Sequence, residues 1–188
     1  PRLRFAGSNR ADFEAWHGEL LAEVKSMLGP MPAPAPLNPE IVWEAEQDGL
    51  IKRRIMLDTE ENMSVAVWLF IPPAAFDKPL PAIVCNHGHG TYGKDSVMGI
   101  RSNNDPEREA EIKLCNYDYG LKMAQNGYVT LAWDLRVFGE RGDEGDPYAG
   151  RDKCNAHFIR ANLMGLTLLA LNIFDHMRMV DYLEELEF

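Results

Sequence analysis

Apolar residues at Phe13, Trp16, Leu20, Val24 and Met27 recur in steps of three and four, the spacing of one helix face. This predicts a helix over residues 10–28, with Asn9 as its cap and Gly29-Pro30 as its end. The run Pro30-Met31-Pro32-Ala33-Pro34-Ala35-Pro36 then reads as a stiff, extended connector. Over 41–71 the period shortens. Ile51, Arg53, Ile55 and Leu57 alternate with Lys52, Arg54 and Met56, Glu60-Glu61-Asn62 supplies a turn, and Met63 to Ile71 returns as an apolar strand stopped by Pro72-Pro73. Antiparallel strands are expected there.

The character changes after Pro81. The run Ala82-Ile83-Val84-Cys85-Asn86 predicts a short, fully buried strand, and it empties into His87-Gly88-His89-Gly90. A helix is expected from Pro106, capped by Asp105, with Ala110, Leu114, Tyr117, Leu121 and Ala124 as its buried stripe and Gly127 as its end. Tyr128 to Trp133 reads as a second buried strand. A Gly- and Asp-rich loop runs to about Cys154, and one long helical stretch is expected over 156–187. Strand, helix, strand, helix at this spacing predicts an α/β fold: antiparallel strands leading into a parallel sheet with flanking helices, preceded by an accessory N-terminal helix. The expected organisation is an accessory helix and proline-rich connector over 1–37 and an incomplete α/β core over 38–188. In such an alternation another central strand should follow the last helix. Two parallel strands alone leave an open, apolar edge. The segment is therefore expected to belong to a larger polypeptide or to be completed by a second chain.

Composition narrows the function classes. With 188 residues and 46% hydrophobic content the chain is expected to be globular. A formal charge of −10 argues against nucleic acid or an anionic membrane as partner. The most apolar stretch, Leu163 to Phe174, is about 12 residues against the roughly 20 that a membrane span needs. Cys85, Cys115 and Cys154 are scattered, with no C-x-x-C, which points to a reducing compartment, the cytoplasm by preference. The chain opens at Pro1 rather than methionine, so a removed leader stays open.

The glycine-rich loop has three readings. Gly88 to Asp95 nearly fits G-x-x-x-x-G-K-[ST], but Asp95 stands where a P-loop needs a hydroxyl, and a helix should begin at once, whereas Gly99 and Arg101-Ser102-Asn103-Asn104 read as loop. Cys85, His87 and His89 would share one face of an extended strand as metal ligands, but the glycines argue against that conformation. The third reading is an oxyanion loop: glycine lets the backbone approach closely, and the His89 backbone N–H would be the donor, flanked by Gly88 and Gly90. The His87 side chain is expected to brace the loop. After the second strand, Asp134 and Arg136 are read first as loop-bracing ion pairs and second as substrate contacts. Asp143, Glu144 and Asp146 are read as solvated surface. No nucleophile is evident. Ser8, Ser26, Ser64, Ser96 and Ser102 all lie outside G-x-S-x-G, and His17, His157 and His176 fall within helical patterns.

His87-Gly88-His89-Gly90, Gly93-Lys94-Asp95 and Trp133 to Gly142 together resemble the α/β-hydrolases of the acetyl xylan esterase-like and dienelactone hydrolase-like families. The stretch Gly165 to Leu186, with Asn172, Asp175 and Met177-Arg178, resembles the helix that precedes the nucleophile strand there. The resemblance implies a serine-type carboxylic ester hydrolase acting on a small-molecule ester, with no metal and no cofactor. In its Ser, acid, His order, all three triad members would lie beyond Phe188, in the remainder of the hydrolase domain on the same or a companion chain. Only the His89 oxyanion contribution carries over, with Gly88, Gly90 and Arg136 as candidate substrate contacts. The family's loop reads Arg-Gly-Phe-Gly; Val137 stands in the place of that glycine, so an altered local turn is the expectation. The competing possibility is a non-catalytic half-domain that serves as a scaffold subunit.

Overall fold

A computed structural model of the chain describes residues 2–101, 105–142 and 152–187. The expected α/β class is found. Helix α1 (Arg10–Leu28) precedes three antiparallel strands, β1 (Glu40–Gln47), β2 (Leu50–Glu60) and β3 (Met63–Ile71). Strand β4 (Ala82–Val84), helices α2 (Gly93–Val97), α3 (Pro106–Cys115) and α4 (Tyr119–Gln125), strand β5 (Val129–Trp133), and helices α5 (Lys153–Leu163) and α6 (Leu168–Glu184) follow. The five strands form one sheet in the order β1-β2-β3-β5-β4, antiparallel except for the β4–β5 pair. Asp48 and Gly49, both at positive φ, make the β1–β2 turn, and two such residues in succession suit a tight hairpin.

Alternation along the strands explains the two layers. Val65, Val67, Leu69 and Ile71 of β3 join Ile55, Leu57, Leu131 and Trp133 in a cluster closed by Met179 and Tyr182 of α6. Phe70 and Ala132 join Cys85, Val97, Met98, Leu121 and Ala124 in the cluster closed by α2 and α4.

Several expectations change. The strand predicted over 82–86 is regular only over Ala82–Val84, and it lies at the sheet edge with Ala82 exposed and Ile83 and Val84 half-buried. An apolar run cannot tell an edge from a centre, and among the described residues no strand pairs with the outer side of β4. The helix predicted from Pro106 is two helices. Asp105 does cap the first, accepting from the Arg108 N–H, but Asn116 turns left-handed at φ +51 and breaks the run, and Leu114 of the predicted stripe is 86% exposed. The long C-terminal helix is also two, broken at Gly165 (φ +75) and restarted by a Thr167 cap, so that α5 and α6 lie 97° apart. Helix α1 is capped by Asn9 as expected but buries none of its residues. Its Trp16 packs against Phe5 and Phe13 and donates through Nε1 to the Leu3 carbonyl, and the Thr167 hydroxyl donates to the carbonyl of Leu28. The acidic run Asp143, Glu144 and Asp146, and Ser102-Asn103-Asn104, lie outside the described residues.

Candidate active site

Because β4 and β5 run parallel, the loops that leave their carboxyl ends emerge side by side, the position at which open α/β sheets bind ligands. The first loop carries His87 to Thr91 and the second carries Asp134 to Gly142. His87 joins them. Its Nε2 accepts the Leu135 N–H at 2.8 Å, and its Nδ1 lies 2.7 Å from the Gly88 carbonyl, so the neutral ring with hydrogen on Nδ1 satisfies both. The side chain braces the loop, as the sequence suggests. Burial pushes the imidazole below its ordinary value of 6.5, against the opposing pull of the Gly88 carbonyl and Asp134. The sign of the linkage follows. Below pH 6.5 the unfolded chain takes up a proton that the folded imidazole refuses, so this contribution is complete above 6.5 and is lost as pH falls through the lower folded value. Unfolding by urea across this range should show a His87→Gln variant with a flatter pH profile than the parent, the difference reaching at most about 1.4 kcal/mol per pH unit.

Tyrosines hold the other side of the first loop. The Gly88 N–H donates to the Tyr117 hydroxyl at 2.5 Å, and the Tyr119 hydroxyl donates to the Asn86 carbonyl. The phenol of Tyr119, pushed up to about 12 chiefly by burial, stays a donor at any physiological pH. Gly88 and Gly90 do not sit at positive φ; a Cβ on Gly88 would stand 2.9 Å from the Tyr117 hydroxyl and displace that clamp, and one on Gly90 would stand 2.7 Å from Glu111 Oε1, which the end of that side chain can yield. The Gly88 N–H is committed to Tyr117, whereas no partner holds the His89 N–H among the described residues.

Asp134 anchors the second loop, the bracing role read first from its sequence position. Its Oδ1 accepts the Lys94 N–H at 2.9 Å, and its Oδ2 accepts Lys94 Nζ at 2.5 Å and the Glu140 N–H at 3.0 Å. Lys94 Nζ also meets Glu140 at 3.0 Å, and Glu140 in turn pairs with Arg54. A helix does start at Gly93, contrary to the loop expected there, but the lysine is sealed at 1% side-chain exposure and bound to carboxylates, so the P-loop reading has no cation to offer a phosphate. The carboxylate of Asp134 is gripped between two glycines at positive φ. A Cβ on Gly93 would fall 2.1 Å from it, and one on Gly139 would fall 2.3 Å from it.

Arg136 faces away from the loop mouth. Its Nε and NH2 each reach one oxygen of the fully buried Asp175 at 2.9 Å, NH2 also pairs with Glu60, and its N–H donates to Asn172 Oδ1 at 2.8 Å. Arg141 adds a 2.7 Å contact to the same Asp175. The Phe138 N–H donates to the Leu135 carbonyl at 3.0 Å, closing a turn whose third residue, Val137, sits at φ +76. A type II turn wants glycine there, and a β-branched residue is strained by about 1–3 kcal/mol. Val137 therefore holds a glycine-type backbone conformation at the expense of strain. Because Val137 is also buried, Val137→Gly should leave the unfolding free energy within about 1 kcal/mol of the parent, relief offsetting lost burial. Val137→Ala keeps much of the strain and should cost about 1–2 kcal/mol; chemical denaturation of the two variants compares them.

Between the loops lies a cavity of about 450 Å³, lined by His89, Gly90, Val137, Phe138, Asp152 and Lys153 among others. Arg136 is not in that lining. Phe138 meets both histidines edge-on, at 5.4 Å from His87 and 5.0 Å from His89. Cys85 is buried and its thiol is pushed up to about 11 by that burial, so it is not an activated nucleophile. As the glycines suggest, Cys85, His87 and His89 do not line up as one ligand set: the first two are buried and engaged, and His89 instead points to Asp152, 3.4 Å away. His17 stacks on Phe13, and His176 lies edge-on to Trp133.

A chain with this sheet, loops and helix order superposes on a crystal structure from Bacteroides fragilis NCTC 9343, described as a "putative acetyl xylan esterase", with a TM-score of 0.75. The two share a fold. The superposition covers 100% of this chain and 47% of that one at 18% identity. In sequence, the chain is 23% identical over 162 residues to the Bacillus subtilis (strain 168) protein "Putative hydrolase YtaP", spanning 84% of this chain and 48% of that protein. The chain thus spans about half the length of the curated relative it matches. No family model matches it.

Proposed function

We propose that this chain supplies the oxyanion-binding loop, and about half of the sheet, of a serine-type carboxylic ester hydrolase acting on a small-molecule ester. The observation that carries the reading is the His89 N–H, which has no partner among the described residues and belongs to a residue lining the cavity, on a loop that leaves the carboxyl end of a parallel strand. The names of the two similar proteins support a hydrolase, and one of them an ester substrate. The free edge of β4 is the place for a further parallel strand, supplied by the remainder of the domain in the same or a companion chain. Residues 1–37 are then an accessory helix and connector, and 38–188 an incomplete core.

In this mechanism a serine on the added strand's turn attacks the ester carbonyl carbon and passes its proton to a histidine, which an acid orients. The carbonyl oxygen becomes an oxyanion held by the His89 N–H and the N–H that follows the serine. Collapse expels the alcohol, which takes the proton from histidine, and water repeats the sequence to release the acid. The His87 brace, the Tyr117 and Tyr119 clamps and the Asp134 anchor hold the donor where the charge develops.

The 188-residue chain alone should not turn over p-nitrophenyl acetate above blank, and a fluorophosphonate probe should label the completing segment at a serine in G-x-S-x-G. In that complete molecule His89→Pro, which deletes the N–H, should lower kcat by about 10²–10³, and His89→Ala, which keeps it, should fall far less. Site-directed turnover by the isolated chain, or an unlabelled complete molecule, overturns the reading; the second outcome favours a scaffold subunit.

A further inference from the structure

We infer that His89, Asp152 and Cys154 form a binding site for a borderline-soft divalent cation of the zinc type at the rim of the cavity. The three residues offer an imidazole nitrogen, a carboxylate oxygen and a sulfur, all within 4.8 Å of one another. Tetrahedral zinc sets its ligand atoms roughly 3.3–3.8 Å apart, given bond lengths of about 2.0–2.3 Å. The observed set therefore needs side-chain adjustments of about an ångström and no backbone rearrangement; His89 Nε2 and Asp152 Oδ1 already stand at 3.4 Å.

Two features pre-position the donors. Phe138 supports the His89 ring edge-on at 5.0 Å, while the side chain stays 65% exposed and reachable by a hydrated ion. Asp152 caps α5 by accepting the Cys154 N–H at 2.9 Å through Oδ1, which fixes the carboxylate beside the thiol two residues on. Cys154 is partly exposed and lies in the first turn of the helix. A cation at a helix N-terminus meets an adverse dipole. The ligand set outweighs it: a carboxylate and a thiolate carry two negative charges, so a divalent ion with neutral imidazole gives a neutral site. On binding, the metal replaces the thiol proton, which passes to solvent, with no change of oxidation state. Three protein ligands leave a fourth position for water or a small ligand, the pattern of zinc sites that keep an open position. The donor set selects against magnesium and calcium, which prefer all-oxygen ligands. This inference concerns the His89 side chain and stands whether or not its N–H serves an ester hydrolase.

Titration of the 188-residue chain with cobalt(II) tests it. The expected result is one equivalent bound with thiolate-to-cobalt charge-transfer absorption, which zinc displaces. Cys154→Ser should abolish that absorption, and His89→Ala and Asp152→Asn should each weaken binding at least about tenfold, with far-UV circular dichroism unchanged. Zinc should also slow iodoacetamide alkylation of Cys154 while leaving the exposed Cys115 unaffected. Absence of the charge-transfer band, or equal affinity in the parent and Cys154→Ser, overturns the site and marks any bound ion as held by surface carboxylates.

Discussion

Asp134→Ala should destabilise the fold by about 3–5 kcal/mol, read from urea unfolding, the largest single-residue effect expected in the loops. Three donors lose their acceptor at once: the Lys94 N–H, the Glu140 N–H and Lys94 Nζ. The ammonium has 1% side-chain exposure, so water cannot replace the carboxylate, and Glu140 is left as its main partner. An uncompensated buried charge is the expensive outcome, whereas removing both charges is cheaper. A Lys94→Met/Asp134→Leu double variant should therefore be more stable than Asp134→Ala, although the two backbone donors remain unsatisfied in it. A loss below 1 kcal/mol for Asp134→Ala would show that the loops relax around the gap.

Asp175→Ala should cost a similar amount, about 3–5 kcal/mol, through a different element. Asp175 is fully buried on α6, where it accepts two bonds from Arg136 and one from Arg141. The paired geometry of Arg136 makes this the stronger kind of charge-assisted contact. Glu60 retains Arg136, which moderates the loss, but among the described residues Arg141 keeps only the Asp134 carbonyl at 3.1 Å. A double-mutant cycle of Asp175→Ala with Arg136→Met should show a coupling well above the 0.2–1 kcal/mol of exposed pairs. Additive single effects would mean that the carboxylate serves α6 by itself.

Much of this fold was legible in local pattern, and the reasons for the failures are physical. Asn9 and Asp105 were readable as caps because capping chemistry is local. The parallel β4–β5 pair followed from element order. The breaks at Asn116 and Gly165 were masked by apolar spacing that runs on through them: Leu114, Tyr117 and Leu121 keep helical steps although the chain has turned left-handed. The Gly165-Leu166-Thr167 sequence did carry a signal, a glycine stop followed by a new cap. Hydrophobicity could not say that β4 is an edge, because pairing depends on chain that is far away in sequence. In the site, glycines and histidines marked the first loop, and the bracing role of His87 followed from its place after a strand. The reach of Lys94 across 40 residues to Asp134 had no periodic signature. Nor did the meeting of His89 with Asp152 and Cys154, whose helix begins after a long loop.

The grip of Gly93 and Gly139 on one carboxylate has a consequence for anyone re-engineering this molecule. Residues 86–94 and 134–142 behave as a single cassette: a replacement for either, grafted alone, would arrive without its mate and collide with or abandon Asp134. Swaps that transfer both segments together keep the counterpart in place, and libraries built on that pairing should retain far more folded members than libraries that vary each loop separately.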